Sequence, residues 1–162
     1  MKTVRKSVLI WYSAQEMFDL VTDVERYPQF LPWCNRARVL AREAQSMVAE
    51  VGIAFMGVRQ TFTTRNEHVP ADAEGVLQER LHLVSGPFSA LEGRWRFTPV
   101  GEGTGEGADG QRACRIELAL DYGFSNGLLA RLVGPVFDKI AASLVDAFVQ
   151  RADQVYGGGA TA

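Results

Sequence analysis

Apolar residues recur at steps of three and four along Asn126–Tyr156: Leu128, Leu129, Leu132, Val133, Val136, Phe137, Ile140, Leu144, Val145, Phe148 and Val155. The spacing predicts one long helix, capped by Asn126 and stopped by Gly157-Gly158-Gly159. At 1.5 Å per residue a helix of that length runs roughly 45 Å, so it needs a large apolar surface to cover. Gly134-Pro135 lies inside it and predicts a kink or a loosened turn.

The rest of the chain supplies that surface with period-two patterning. Lys2–Trp11 alternates and reads as a strand. Ser13 with Glu16 makes a capping box for a short helix carrying Met17, Phe18, Leu20 and Val21. Asp23 caps a further turn reaching Arg26. Six more strands follow, over Arg36–Glu43, Gln45–Phe55, Val58–His68, Gly75–Ser85, Ser89–Pro99 and Arg112–Tyr122. Hairpin-length connections make these one antiparallel sheet, which twists and curls, with the long helix in its concavity. Val100–Gln111 is Gly-rich and acidic and reads as a mobile loop, and 157–162 as a disordered tail. The predicted fold is α+β: a curved sheet of about seven strands around a C-terminal helix, as one domain over residues 1–156.

One segment breaks the pattern. Tyr27–Cys34 holds Tyr27, Phe30, Leu31 and Trp33 in a stretch that Pro28 and Pro32 keep from being a regular helix. A loop that apolar is either a buried lid or a surface that dips into a bilayer interface, a depth that suits Tyr27 and Trp33. The inward positions of the sheet are also large and apolar: Phe55, Phe62, Leu81, Leu83, Phe88, Leu91, Trp95, Phe97, Leu118, Leu120 and Tyr122. The helix adds Leu132, Val136, Phe137, Ile140 and Leu144. These positions suit either a dry core or a cavity for a greasy ligand, closed by the apolar loop. In the cavity reading, Leu128–Val133 is a gate near that lid, Val136–Tyr156 grips the sheet, and ligand enters at Gly134-Pro135.

Composition narrows the class of partner. The 162 residues are 47% hydrophobic and 22% charged, with a formal net charge of -2, which fits one globular domain. That balance does not attract nucleic acid over the whole surface, and DNA is not an expected partner. A local stripe remains. Arg36, Arg38 and Arg42 alternate along one strand and share a face, with Arg59 and Arg65 two strands on. They form either an ordinary solvated face or one that contacts phosphate. Cys34 and Cys114 have no metal-ligand spacing and read as neutral thiols in a reducing compartment. No apolar run approaches the roughly 20 residues of a membrane span, and the location expected is cytoplasmic.

Catalytic signals are absent from the pattern. His68 and His82 read as surface or strand-end groups, and Asp138 with Lys139 as a solvated pair. There is no Ser-His-Asp order, no GxSxG and no paired carboxylates at a recognisable spacing. The interior is expected to lack titratable groups, and no metal or cofactor is expected.

Four stretches together resemble a known family: VERYPQFLPWC (Val24–Cys34), LVSGPFSALEGRWRFTP (Leu83–Pro99), LDYGFSNGLLARLVGPVF (Leu120–Phe137) and AFVQRADQVYG (Ala147–Gly157). They resemble the coenzyme Q-binding and RatA-like family of the START-like, polyketide-cyclase-like proteins, over about residues 3–156. The glutamate common in that family after the Asp-Tyr pair is Gly123 here. The resemblance implies a helix-grip fold with a hydrophobic tunnel between sheet and helix. It implies binding of a polyprenyl quinone such as ubiquinone, or another lipid, delivered to membrane enzymes at the inner membrane, with Tyr27 and Tyr122 as candidate contacts to the head. The family's other branch implies a partner in the large ribosomal subunit and inhibition of subunit association. A polyketide cyclase-like activity is the weakest implication, since fold does not confer function.

Overall fold

Strand alternation and one helical stripe account for nearly all of the architecture. The computed structural model describes residues 1–101 and 113–157. Its elements are β1 (Lys2–Ile10), α1 (Ala14–Thr22), a 3-10 helix (Val24–Gln29), β2 (Cys34–Glu43), β3 (Ser46–Phe55), β4 (Val58–Val69), β5 (Leu77–Ser85), β6 (Phe88–Pro99), β7 (Cys114–Phe124), α2 (Gly127–Leu132) and α3 (Gly134–Ala152). A π-helical turn, Asp153–Gly157, ends the described chain, and Gly157 is buried in it. The mobile loop expected within 100–111 falls mostly outside the described residues, as does 158–162 of the expected tail.

The seven strands form one antiparallel sheet in the order β1-β7-β6-β5-β4-β3-β2. It is a meander of β2 to β7 with β1 added beside β7, so every connection within the meander is a hairpin. The curved sheet grips α3 in its concavity, which is the helix-grip fold. Alternation sets which residues face the helix: Met47, Ala49, Val51 and Ile53 on β3, Leu91, Trp95 and Phe97 on β6, and Ile116, Leu118, Leu120 and Tyr122 on β7 are all buried. From α3 the buried set is Val136, Phe137, Ile140, Ala141, Val145, Phe148 and Ala152.

Local signals determine the ends. Ser13 accepts from the Glu16 amide at 3.0 Å, and Glu16 accepts from the Ser13 amide at 2.9 Å, completing the capping box of α1. Asn126 caps α2 through the Leu129 amide at 2.9 Å. The predicted single helix is two. They join at Val133, which keeps right-handed helical backbone and both of its helical bonds, its N–H to the Leu129 carbonyl and its carbonyl from the Phe137 amide, and Pro135 occupies the first turn of α3, where its missing N–H leaves no bond unmade.

Candidate ligand chamber and arginine face

Two clusters of rings fill the space between α3 and the sheet. At the N-terminal end of α3, Phe137 meets Tyr122 (4.7 Å between ring centroids), Phe88 (4.9 Å), Phe62 (6.3 Å) and Phe124 (6.4 Å). At the C-terminal end, Phe148 meets Tyr27 (5.5 Å), Phe30 (5.4 Å) and Trp95 (5.4 Å). The contacts lie in tilted or edge-to-face geometry, the favourable arrangement for aromatic quadrupoles. Eleven residues separate Phe137 from Phe148, about 16 Å along a helix. Ile140, Ala141 and Val145 fill that interval from the helix side and Leu118 and Leu120 from β7, all buried.

The Tyr27–Cys34 segment is a buried closure rather than an exposed apolar loop. Leu31 and Trp33 are buried, while Tyr27 and Phe30 are partly buried and pack against the core. The Leu31 amide donates to the Tyr27 carbonyl at 2.9 Å, and Arg151 of α3 stands 4.9 Å over the Phe30 ring. The indole Nε1 of Trp33 has no acceptor and is the one fully buried side-chain polar atom without a partner among the described residues.

Most of the expected lining is inside. Phe88, Trp95, Phe97, Leu118, Leu120, Tyr122, Val136, Phe137 and Ile140 are buried, and Phe55, Phe62, Leu81, Leu83 and Leu144 are partly buried against them. Leu132 does not line the interior as expected: it is 57% exposed, because α2 buries none of its residues. Phe148 and Val145, left out of the expected lining, are both 1% exposed and take part of that place. The gate is also misplaced. The closure made by Tyr27, Phe30 and Leu31 lies at the Phe148 end of α3, whereas α2 lies at the opposite end beside β7.

The two candidate tyrosines are already engaged. Tyr27 donates its hydroxyl to the Val21 carbonyl. Tyr122 donates to Asp138 at 2.6 Å, and Lys2 pairs with the other Asp138 oxygen at 2.5 Å. Asp138 therefore ties β1, β7 and α3 together instead of pairing with Lys139. Burial, then the Asp138 carboxylate, raises the Tyr122 pKa.

The interior does hold titratable groups, contrary to expectation. β4 presents Thr64, Asn66 and His68 on successive inward positions after Phe62. His68 faces Glu79 across the β4–β5 ladder, and His68 Nε2 lies 3.2 Å from the Glu79 carboxylate. Glu79 is 1% exposed. Burial holds its carboxyl above the ordinary carboxylate range, and His68 pulls it partly back. His82 lies on the outer face as expected, 3.2 Å from both Glu67 and Glu92. Both thiols are buried, and burial pushes Cys114 up to about 12, so neither is a nucleophile. No cluster of metal-ligating side chains occurs among the described residues.

The outer, convex face of the sheet is basic. Register places Arg36 and Arg38 of β2, Arg59 and Arg65 of β4, Arg80 of β5, and Arg94 and Arg96 of β6 on it, with Arg5 of β1 and Arg115 of β7. Their acidic neighbours there are fewer: Glu43, Glu50, Glu67, Glu92, Glu117 and Asp121. A hollow of about 250 Å³ opens on this face between Arg5, Arg94, Arg96 and Glu117, with Ala119 beneath. Arg42 does not belong to the stripe. A bulge between Val39 and Ala41 shifts the alternation by one residue, so Arg42 pairs opposite inward-facing Met47 and reaches Glu25 at 3.4 Å.

Residues 10–149 match the family described as polyketide cyclase / dehydrase and lipid transport. The chain belongs to this family. Within it, the chain groups with the RatA-like and coenzyme Q-binding proteins. It is 40% identical over 157 residues to the ribosome association toxin RatA of Vibrio cholerae, covering 97% of this chain and 99% of that protein. It is 29% identical over 153 residues to the mitochondrial coenzyme Q-binding protein COQ10 homolog B of Xenopus laevis, covering 94% of this chain and 58% of that protein. A START superfamily protein from Mycobacterium smegmatis superposes with a TM-score of 0.72 over 94% of this chain and 98% of that one at 22% identity, a likeness of fold. No helix among the described residues is long and apolar enough to cross a membrane.

Proposed function

We propose that this protein binds and carries a hydrophobic lipid or isoprenoid quinone between the concave sheet and α3, without catalysing a reaction on it. The observation that carries this reading is the buried Trp33 N–H, which has no acceptor in a largely apolar interior. An unmet buried donor costs roughly 1–3 kcal/mol, which a ligand oxygen offsets. The driving force is desolvation of the ligand tail, at about 25 cal/mol for each Å² removed from water. The Val24–Cys34 segment closes one end of the enclosure, and α2, which buries none of its residues, flanks the other. The name of the Xenopus relative and the lipid-transport description of the family support the reading. It places the chain in the cytoplasm, meeting the inner membrane only transiently. Native mass spectrometry and solvent extraction of the purified protein, with melting curves in added quinone, test it. Co-purifying lipid and a raised melting temperature are expected; absence of both contradicts the proposal.

A second reading has its own observation. The arginine-rich convex face, with the 40% identical relatives named as ribosome association toxins, supports docking to the large ribosomal subunit through phosphate contacts. Sucrose-gradient profiles of subunits with added protein decide it. Reduced subunit joining is expected, and unchanged joining at high protein excess rules it out.

A further inference from the structure

We propose that His68 and Glu79 form a polar anchor inside the chamber for the uncharged, oxygen-bearing head of an amphiphile whose apolar tail runs along β4 toward Phe62 and Phe137. This rests on the carrier reading and adds to it where the head lies and what chemistry it has.

The inward face of β4 changes character along its length. Phe62 sits in the Phe137 cluster, Thr64 donates to Asn66 at 2.6 Å, and His68 meets Glu79. Six residues of strand separate Phe62 from His68, about 20 Å, which accommodates a long tail. The pair is walled by apolar groups. Phe18 stands edge-on to His68 at 5.6 Å, and Glu79 pairs across the β5–β6 ladder with Trp95.

Stability alone does not account for a buried carboxyl here. Replacing such a pair with apolar groups of similar volume is often neutral or stabilising. Among the described residues, His68 is the one side chain that hydrogen-bonds to Glu79, whereas a carboxylate offers about four acceptor sites. Glu79 is also the one fully buried acidic or basic residue of the described chain. That charge balance selects the head. A carboxylate or phosphate head would meet Glu79 with no buried lysine or arginine to offset it, so an anionic lipid is disfavoured. A hydroxyl head can donate to Glu79, and a carbonyl head can accept from a His68 ring N–H, without adding charge beside the buried carboxyl.

Three ligands with the same ten-carbon tail separate head from tail: decylubiquinone, decylbenzene and decanoate. Affinities at pH 7.5 are read by tryptophan fluorescence for the wild type and for Glu79→Leu, His68→Leu and the isosteric Glu79→Gln. Decylubiquinone is expected to bind the wild type at least 10-fold more tightly than decylbenzene, with decanoate weakest. Both leucine variants should lose about 10-fold for decylubiquinone and leave decylbenzene unchanged, while Glu79→Gln stays within about 3-fold of wild type. Decanoate should bind Glu79→Leu more tightly than wild type. If Glu79→Leu does not fold, His68→Leu carries the comparison. Equal losses for the two neutral ligands, or no loss for decylubiquinone, overturn the anchor and leave the carrier reading standing. Failure of the wild type to bind any of the three overturns the carrier reading and the anchor with it.

Discussion

Phe148→Ala tests whether the Val24–Cys34 closure is held by the C-terminal half of α3. The ring is 1% exposed and touches Tyr27, Phe30 and Trp95, so it joins three parts of the molecule: the closure, α3 and β6. A buried Phe removes roughly 150–250 Å² from water. At about 25 cal/mol per Å² that is ~4–6 kcal/mol, against about 3–5 kcal/mol for phenylalanine-to-alanine changes in other cores. A loss of about 4 kcal/mol follows. For a chain of this size each kcal/mol moves the melting temperature by about 2–4 °C, so a drop of roughly 8–16 °C is expected. Phe148→Leu should cost roughly 1.5 kcal/mol, because most of the volume remains. Leu128→Ala, at a position 60% exposed, should stay within about 0.5 kcal/mol of wild type. Urea denaturation followed by circular dichroism gives the energies. Hydrogen exchange gives the location: the Phe30 and Leu31 amides, both bonded to the Tyr27 carbonyl, should lose protection before the β1–β7 ladder does. A loss under 1.5 kcal/mol, or protection falling equally everywhere, would refute the assignment.

Further outcomes follow from single contacts. Ser13→Ala and Glu16→Ala should each cost about 1 kcal/mol in urea titrations, with the double variant costing less than the sum because one box serves both; additive losses would contradict the box. Gly86→Ala should destabilise by about 2–3 kcal/mol, because φ is +147° and its Cβ would stand 2.6 Å from Phe62 Cβ; a neutral result would mean that the β5–β6 turn relaxes freely. Glu79 has a folded-state pKa raised by burial, so its stabilising contribution is full below the ordinary value near 4.5 and is lost as pH rises through the folded value. Glu79→Gln should therefore gain on wild type in urea midpoint from pH 4.5 upward, compared in a common His68→Gln background, with Tyr27 the other titratable group coupled to Glu79. A pH-independent difference would contradict the shift. If the arginine face contacts the ribosome, Arg94→Glu and Arg38→Glu should weaken binding and flatten its salt dependence by about one unit per phosphate contact, whereas Arg42→Ala, turned toward Glu25, should leave both unchanged. Equal effects at all three positions would argue against that face.

How far the chain could be read from its sequence depends on the range of the interaction involved. The capping box at Ser13, the division of the helix beside Pro135 and the period-two strands are local, and the structure reproduces them within a few residues. The helix-grip fold and the family followed from whole motifs. What the pattern did not convey was phase across irregularities. One bulged residue between Val39 and Ala41 turns Arg42 to the opposite face from Arg38, and nothing in Arg36–Glu43 marks it. The end of α3 that meets the Tyr27–Cys34 segment is likewise a tertiary fact, which is why the gate and the closure were placed together. Glu79 was legible. Alternation puts it in line with Leu77, Leu81 and Leu83, although an unpaired acidic residue is rarely buried.

The most direct test of a ligand chamber between the sheet and α3 is where a bound ligand's tail lies. Methyl-labelled protein with decylubiquinone, read by nuclear Overhauser contacts, gives that position. Contacts are expected from the tail to the methyls of Leu81 and Leu83, beside β4, and of buried Ile140, and none to Leu9 or Leu128, which are largely exposed. Contacts confined to those exposed leucines, with the interior methyls unmoved, would contradict the chamber.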